Sequence, residues 1–484
     1  MSQPALRPTA AAPRRVTFPS QRAIVSLRLS ERRALLFLSD VAAINLTLLT
    51  VLAWRFHLPF GWQTAAFQPM WFGLLVGLWA ICAPLLNAYD LRRASRVGSG
   101  AAAGAAVALL VAVIYLSIPY YTPQLPASRL TAASFVLVMV ASVAAGRAAY
   151  ALFLVQPTFR HRVLVVGAGR AGRELVEALR TYTPTEYDAV GFADDDPAKQ
   201  GEVVAGLPVL GTCRDLLRLA REWGVSEVVV AVARDENLDA SLVGALLDGH
   251  EQGIQITAMA PLYERLTGRV PLEYAAGNLH VILPVDRDRN RLSLLVKRGV
   301  DVLLGLVGGL ATLALLPLVA LALRLESPGP VFYRQVRAGR GGRPFSLIKF
   351  RTMIPDAEST GPRWAEEDDS RVTRIGRILR RLHLDELPQA INLLRGEMSF
   401  IGPRPERPEF AASLEKQIPF YRARHAMRPG ITGWAQVNFG YGSSTEDALI
   451  KLQYDLYYNK YASLYLDLCI FVRTLALVLT LKGR

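Results

Sequence analysis

Apolar positions in this chain are gathered into long blocks rather than spread evenly. Four of them, at 34–54, 70–90, 99–118 and 131–155, carry few charges. Each is near the ~20 residues a helix needs to cross a ~30 Å hydrocarbon layer, so four transmembrane helices are predicted. The basic residues around them give a direction, because Arg and Lys collect on the cytoplasmic side. Arg22, Arg28, Arg32 and Arg33 precede the first run, Arg92, Arg93 and Arg96 lie in the second loop, and Arg160 and Arg162 follow the fourth. The other two loops hold only Arg55 and Arg129. Both ends of the four-helix unit, 34–155, are therefore expected on the cytoplasmic side of the membrane, and so is everything that follows it. Residues 1–33, rich in Pro, Ala and Arg without apolar periodicity, read as a disordered basic tail.

After residue 155 the period changes. Short apolar runs such as RVLVVGAGRAG, DAVGFADDD and SEVVVAVA alternate with helical patterns through residue 290, which predicts a parallel sheet with covering helices, an α/β Rossmann-like module over 156–290. Gly167, Gly169 and Gly172 stand where its first strand turns into a helix, at the spacing of a dinucleotide fingerprint. Asp194 to Asp196 follow the second strand, where a ribose-binding carboxylate belongs. The same glycines also serve simply to pack a helix closely on its strand, and this structural reading is preferred.

A fifth apolar run, 300–323, is long enough to span. Its flanks are basic on both sides, with Arg287, Arg289, Arg291, Lys297 and Arg298 before it and Arg324, Arg334, Arg337, Arg340 and Arg343 after it. A helix that enters the membrane and returns satisfies both flanks, and Pro317 supplies a break by removing a donor and crowding the preceding turn. The remainder, 291–484 with this run, is expected to be a mixed, mainly α domain that carries the chemistry.

Composition sharpens this picture. At 484 residues, 51% hydrophobic, 20% charged and mean hydropathy +0.24, the chain is too polar for a pure transporter and too apolar for a soluble enzyme. Its net charge of +14 suits anionic lipid or phosphorylated substrates. Cys82, Cys213 and Cys469 are too far apart in sequence to suggest a disulfide framework or zinc cluster.

In IGRILRRLHLDELPQAINLLR, Leu387, Ile391 and Leu394 recur at helical spacing and Pro388 fits only a first turn. A helix is expected to begin near Asp385, which places Asp385 and Glu386 at its N-terminus, where the backbone favours carboxylates and phosphates alike. Simple capping explains two acids at such a place. Basic residues crowd the neighbouring motifs, however: Lys349 and Arg351 in IKFRTM, Arg380, Arg404 with Glu406 in SFIGPRPE, and Arg428 in RPGITGWAQVN. Guanidinium groups hold phosphate oxygens in pairs, and a carboxylate in such a field suits Mg²⁺ completed by substrate phosphates.

The segments ESPGPVFYRQ, IKFRTM, LDELPQAINLLRGEMSFIGPRPE, RPGITGWAQVN and KLQYDLYY together resemble the catalytic domain of bacterial sugar transferases, the monotopic phosphoglycosyl transferases. The whole arrangement resembles their long form, the undecaprenyl-phosphate sugar phosphotransferases that start exopolysaccharide synthesis, and VNFGYGSSTEDALIKLQYDLYY resembles the subgroup of exosortase-type loci. The resemblance implies a UDP-sugar donor, an undecaprenyl phosphate acceptor, Asp385 as nucleophile and Mg²⁺ ligand, Glu386 assisting proton transfer, and Lys349, Arg380 and Arg404 on phosphate. It also implies that 300–323 is a re-entrant membrane helix, although Leu316 replaces the usual Ser before Pro317. Asn438 to Tyr441 depart from the common pattern and leave the sugar open. Homo-oligomers and other exopolysaccharide assembly proteins are expected partners; nucleic acid is not.

Two rival functions are weaker. A membrane-bound NAD-dependent dehydratase or epimerase needs Tyr four residues before Lys, and none of the seven lysines has it. A non-enzymatic scaffold for polysaccharide export leaves the acid pair and its arginines unexplained.

Overall fold

The structure, a computed structural model, describes residues 29–56, 68–86, 88–123, 125, 128–154, 160–232, 240–272, 274, 281, 291–355, 357, 369–440, 442 and 444–479. The basic tail expected at 1–33 falls mostly outside them.

Four apolar helices come first: α1 (Leu29–Phe56), α2 (Pro69–Leu85), α3 (Val97–Leu116) and α4 (Arg129–Phe153). Ile44, Leu48, Trp79, Tyr115, Phe135 and Met139 fill the bundle interior, while Leu38, Leu46, Leu109, Val113 and Leu137 point outward. Such outward leucines are unfavourable in water and ordinary in lipid. By length and composition α1, α3 and α4 can each cross a membrane; α2, at 17 residues, is about 25 Å long. One charge pair is tolerated inside because it is complete. Arg147 Nη2 meets Asp40 Oδ2 at 2.7 Å and Nη1 donates to the Ala88 carbonyl at 2.5 Å, so neither ion is buried alone.

Next comes a six-stranded sheet built from β1 (His161–Val166), β2 (Tyr187–Ala193), β3 (Val203–Val204), β4 (Leu207–Gly211), β5 (Glu227–Val230) and β6 (Gln255–Ala258). Its order is β3-β4-β2-β1-β5-β6, parallel except for β3. Helices α5 (Arg170–Tyr182), α6 (Leu216–Trp223), α7 (Ala240–Glu251) and α8 (Met259–Thr267) cover it. Val163 and Val165 face the core under α5 and α8, and Leu164 and Val166 face the one under α6 and α7. Burial on both faces is why β1 reads as an unbroken apolar run.

The last unit opens with α9 (Arg291–Glu326), one helix of 36 residues and about 54 Å if straight. The interruption expected at Pro317 is not a break in the helix, which continues to Glu326. Proline withholds one donor and crowds the Leu313 carbonyl, a local loss that a helix of Leu and Ala tolerates. Asp301, Gly305, Thr312, Val319 and Leu323 form a buried stripe along α9, whereas Leu303, Leu306, Leu310, Leu313, Leu318 and Leu321 on the other side are exposed.

Against the buried stripe lie β7 (Phe332–Ala338) and β8 (Pro344–Phe350), an antiparallel pair, then α10 (Arg374–Arg381), a 3-10 turn (Leu384–Gln389) and α11 (Ala390–Arg395). The chain ends with β9 (Ser399–Ile401), α12 (Pro408–Gln417), a 3-10 turn (Tyr421–Ala426), β10 (Gly430–Thr432), α13 (Trp434–Asn438), α14 (Thr445–Tyr461) and α15 (Leu464–Leu479). This unit does not stand apart from the sheet module. Leu414, Tyr421, Leu452 and Leu456 share one continuous core with Val163, Leu175 and Tyr263.

Candidate active site

The acid pair owes its position to a reversal of the chain. At the end of α10, His383 takes left-handed backbone angles (φ 55°, ψ 18°), which His adopts more readily than most residues. The chain then enters the 3-10 turn with Asp385 and Glu386 in its first positions and Pro388 inside. A helix beginning near Asp385 is thus found, as a tight turn that passes into α11 at Ala390. Two contacts fix this turn. A Cβ on Gly376 would lie 2.1 Å from the Thr352 carbonyl oxygen, so α10 presses directly on the segment after β8. Asn392, fully buried on α11, accepts from the Ile348 amide at 3.2 Å and donates to the Ser346 carbonyl at 2.7 Å.

Lys349, one residue beyond Ile348 on β8, is thereby brought to Glu386. Its Nζ lies 2.7 Å from Oε1, and Arg404 Nη2 reaches the same oxygen at 2.9 Å. Burial by itself raises the Glu386 pKa, but Lys349 and Arg404 outweigh it and hold this carboxyl well below the usual range. Burial draws Lys349 below the usual lysine range, aided by Arg404 and opposed by Glu386 and Asp385. Glu386 raises Arg404 further above its ordinary value. Asp385 is buried within the same field. Arg380 joins from α10, its Nε donating to Thr352 Oγ1 at 2.8 Å. A cleft lined by Gly339, Pro403, Arg404, Pro405 and His425 opens on the Arg404 side.

The two remaining expected phosphate ligands, Arg351 and Arg428, fall in different places, the first away from the acid pair and the second beside the Arg404 loop. Arg351 is buried, and its guanidinium donates to the carbonyls of Leu323, Ser327 and Pro328. These carbonyls close the C-terminal end of α9, where a cation is favoured, so Arg351 clamps a helix end instead of lining the cleft. Arg428 precedes β10, with its carbonyl against Gly402, where a Cβ would come within 2.4 Å. That places it beside the loop of Arg404, and among the described residues its guanidinium has no ion-pair partner. Sequence reasoning missed Asn392, Arg424 and Asp455, although Asp455 lies inside the KLQYDLYY motif.

The glycine loop of the module is built for close packing. A Cβ on Gly172 would lie 2.0 Å from the Gly167 carbonyl oxygen, and Gly167 has φ +102° against Ala231. Gly169 faces open space. Asp194, in the place of a ribose-binding acid, accepts from Ala168 N at 2.7 Å and Asp196 N at 2.9 Å and pairs with Lys199 at 3.1 Å. Its charge therefore sits on the loop that would have to receive a pyrophosphate.

Among the described residues no three His, Cys, Asp or Glu side chains gather as a metal cluster. Mg²⁺ does not require one, since one or two carboxylates suffice when substrate phosphates complete the shell. Glu386 is committed to two cations, and Asp385 is the other carboxylate of the pair.

Comparison with known proteins identifies the family. Residues 292–481 match the family described as bacterial sugar transferase, and residues 84–238 match a CoA-binding domain. A UDP-N-acetylgalactosamine-undecaprenyl-phosphate N-acetylgalactosaminephosphotransferase from Aeromonas hydrophila is 37% identical over 306 residues, 62% of this chain and 69% of the relative. A UDP-glucose:undecaprenyl-phosphate glucose-1-phosphate transferase from Xanthomonas campestris pv. campestris is 43% identical over 334 residues, 66% of this chain and 67% of the relative. One of the same name from Escherichia coli (strain K12) is 33% identical over 316 residues, 64% and 66% of the two chains. With the Asp385–Glu386 turn, its cations and the apolar helices on one chain, these likenesses show that the protein is a membrane-associated phosphoglycosyl transferase and belongs to the bacterial sugar transferase family.

Proposed function

We propose that this chain transfers a hexose-1-phosphate from a UDP-sugar to undecaprenyl phosphate, releasing UMP, as the first membrane step of exopolysaccharide synthesis. The observation that carries the proposal is the convergence of Lys349 and Arg404 on Glu386, one residue from a buried carboxylate at the start of a turn. In the first step a carboxylate oxygen of Asp385 attacks the β-phosphorus of the donor. The bond from that phosphorus to the bridging oxygen breaks, and UMP leaves with the oxygen. In the second step a phosphate oxygen of the lipid attacks the same phosphorus and frees Asp385. Splitting the transfer lets a soluble donor and a lipid acceptor use one centre in turn.

Lys349 and Arg404 stabilise the charge that spreads over the phosphoryl oxygens, and Arg380 and Arg428 supply further cations at the edge of the site. Glu386 is suited to hold the two cations in register more than to carry a proton, because they keep it ionised. Asp385 would hold Mg²⁺ together with the diphosphate, where the ion would supply charge neutralisation. The module serves as a structural support, and the exposed leucines of α9 enter the bilayer on a re-entrant path.

The test is purified chain in detergent with undecaprenyl phosphate, Mg²⁺ and a panel of UDP-sugars. UMP release with one sugar is expected, together with a covalent sugar-phosphate adduct on Asp385 when the lipid is omitted. Release that survives Asp385→Asn would remove the nucleophile from the proposal. Relatives named for N-acetylgalactosamine and for glucose both resemble this chain, so the panel includes both sugars.

A further inference from the structure

Arg404 lies in a segment without regular structure, between Pro403 and Pro405, and its position depends on what holds its backbone. Each carbonyl from Pro403 to Glu406 accepts one bond. Gly430 N donates to Pro403 at 2.8 Å, Arg424 Nη2 to Arg404 at 3.1 Å, Arg337 Nη1 to Pro405 at 3.1 Å and Ala338 N to Glu406 at 2.8 Å. Two of these donors are backbone amides in or beside paired strands. The tether at Arg404 itself is a side chain, and a deeply buried one.

Arg424 is 6% exposed and is oriented by Asp455, which is 2% exposed. The same Nη2 meets Asp455 Oδ2 at 2.9 Å, and Nη1 donates to the Tyr421 hydroxyl at 2.5 Å. Asp455 stands on α14, a helix anchored on both sides of it. Leu452 and Leu456 are sunk in the core shared with the sheet module, and Lys460 is paired with Glu264 of α8 at 2.8 Å. A buried ion pair of this kind contributes little net stability compared with apolar residues of the same size. What it does contribute is direction: a fixed guanidinium aimed at one carbonyl beside the acid pair.

We infer that Asp455 and Arg424 are positioning residues for phosphoryl transfer, acting through the backbone of Arg404 to keep its guanidinium on Glu386 and the substrate phosphates. The inference rests on the transfer reading above. Neither residue touches the reacting atoms. Asp455 carries the effect from α14, Arg424 passes it to the loop, and Arg404 delivers it to the site. The acid of KLQYDLYY thereby acquires a reason for its place in the sequence.

The experiment is a double-mutant cycle on the full chain, read as UMP release with undecaprenyl phosphate, Mg²⁺ and the preferred UDP-sugar. Asp455→Asn is expected to lower kcat/KM by about tenfold, on the order of 1.4 kcal/mol of transition-state stabilisation, with kcat itself reduced. In an Arg404→Ala background the same change is expected to cost less than about twofold, because the group it positions is gone. Tyr421→Phe, which removes a single acceptor from Arg424, supplies a milder version of the cycle if Asp455→Asn does not fold. Losses that multiply in the Arg404→Ala background, or wild-type kinetics in Asp455→Asn, overturn the inference. A parent chain that releases no UMP overturns the transfer reading and the inference with it.

Discussion

Lys460 of α14 donates to both carboxylate oxygens of Glu264 of α8, at 2.8 and 3.0 Å, and so bolts the transferase unit to the sheet module. Glu264 is 1% exposed, Trp434 Nε1 donates to the Gly268 carbonyl at 2.9 Å nearby, and Val270 N donates to the Gln453 carbonyl at 3.1 Å. The two units are therefore one folding body as far as this face is concerned. On this face the module supports α14 mechanically.

A chain truncated to begin at Asp286 would uncover Leu414, Tyr421, Leu452 and Leu456, which the module now covers. We expect such a chain to aggregate or to lose its cooperative unfolding transition even in detergent. In the full chain, Glu264→Ala should cost roughly 3–5 kcal/mol, the range for removing one partner of a buried pair. Thermal unfolding monitored by intrinsic fluorescence measures both. A truncated chain as stable as the parent would show that the shared core is dispensable.

Glu386 offers a test of its role through pH. Lys349 and Arg404 lower its pKa against the opposing effect of burial. A carboxylate with a lowered folded pKa contributes stability above its unfolded value and loses it as pH falls through the folded one. A carboxylate held this low favours an ionised, cation-holding role between pH 5 and 8 over the proton transfer that the family resemblance implies. Glu386→Gln should accordingly lower kcat by about 10²-fold, within the range for a misplaced electrostatic group, while leaving the shape of the pH–rate profile unchanged. A limb that disappears in Glu386→Gln would identify a proton carrier.

Arg351 and Arg404 separate structure from substrate binding. Arg351 gives its donors to three carbonyls at the end of α9, whereas Arg404 faces the acid pair. Arg351→Lys should lower the unfolding temperature, since an ammonium cannot span three carbonyls with a planar fork, and should leave KM for the UDP-sugar within about twofold. Arg404→Lys should raise KM or lower kcat with little change in stability. The opposite pattern would return Arg351 to the phosphate site.

The sequence made some of this visible and hid the rest for identifiable reasons. The apolar helices could be read because lipid demands about 20 unbroken apolar residues, a pattern that folding cannot disguise. The parallel sheet could be read because β1 is buried on both faces. Lys349, Arg404 and the acid pair were found together because IKFRTM, SFIGPRPE and LDELPQAINLLR are segments of the family resemblance, although they fall on a strand, a loop and a 3-10 turn. Arg351 looked the same as its neighbours in sequence, since a guanidinium's target is set by tertiary placement alone. The shared core was invisible for a similar reason. Leu452 and Leu456 declare a face to be buried, but not which unit buries it. Asn392, an amide on an apolar helix face, gave no signal that it would lock α11 to β8.

The path of α9 is the last point open to experiment, and its two ends argue for one answer. At the start, Lys297 pairs with Asp467 at 2.8 Å and donates to the Tyr458 hydroxyl at 3.0 Å, and Arg298 donates to the Leu393 and Leu394 carbonyls. At the finish, Glu326 accepts from the amides of Arg374 and Ile375 at 2.6 and 2.9 Å. Both sets of partners belong to the same folded unit, and the buried stripe between them rests on it too. By length and composition α9 could cross a membrane, but with each end tied to one unit we expect both ends to stay on the same side of the bilayer. Its exposed leucines still require lipid, and the proposed re-entrant path supplies it, with Pro317 as the point at which a continuous helix bends. Cysteines introduced near Lys297 and near Arg340 should both react with an impermeant maleimide only from the cytoplasmic face of inverted vesicles. Labelling of either one from the periplasmic face would mean that α9 crosses, and that the contacts at one of its ends are broken in the membrane.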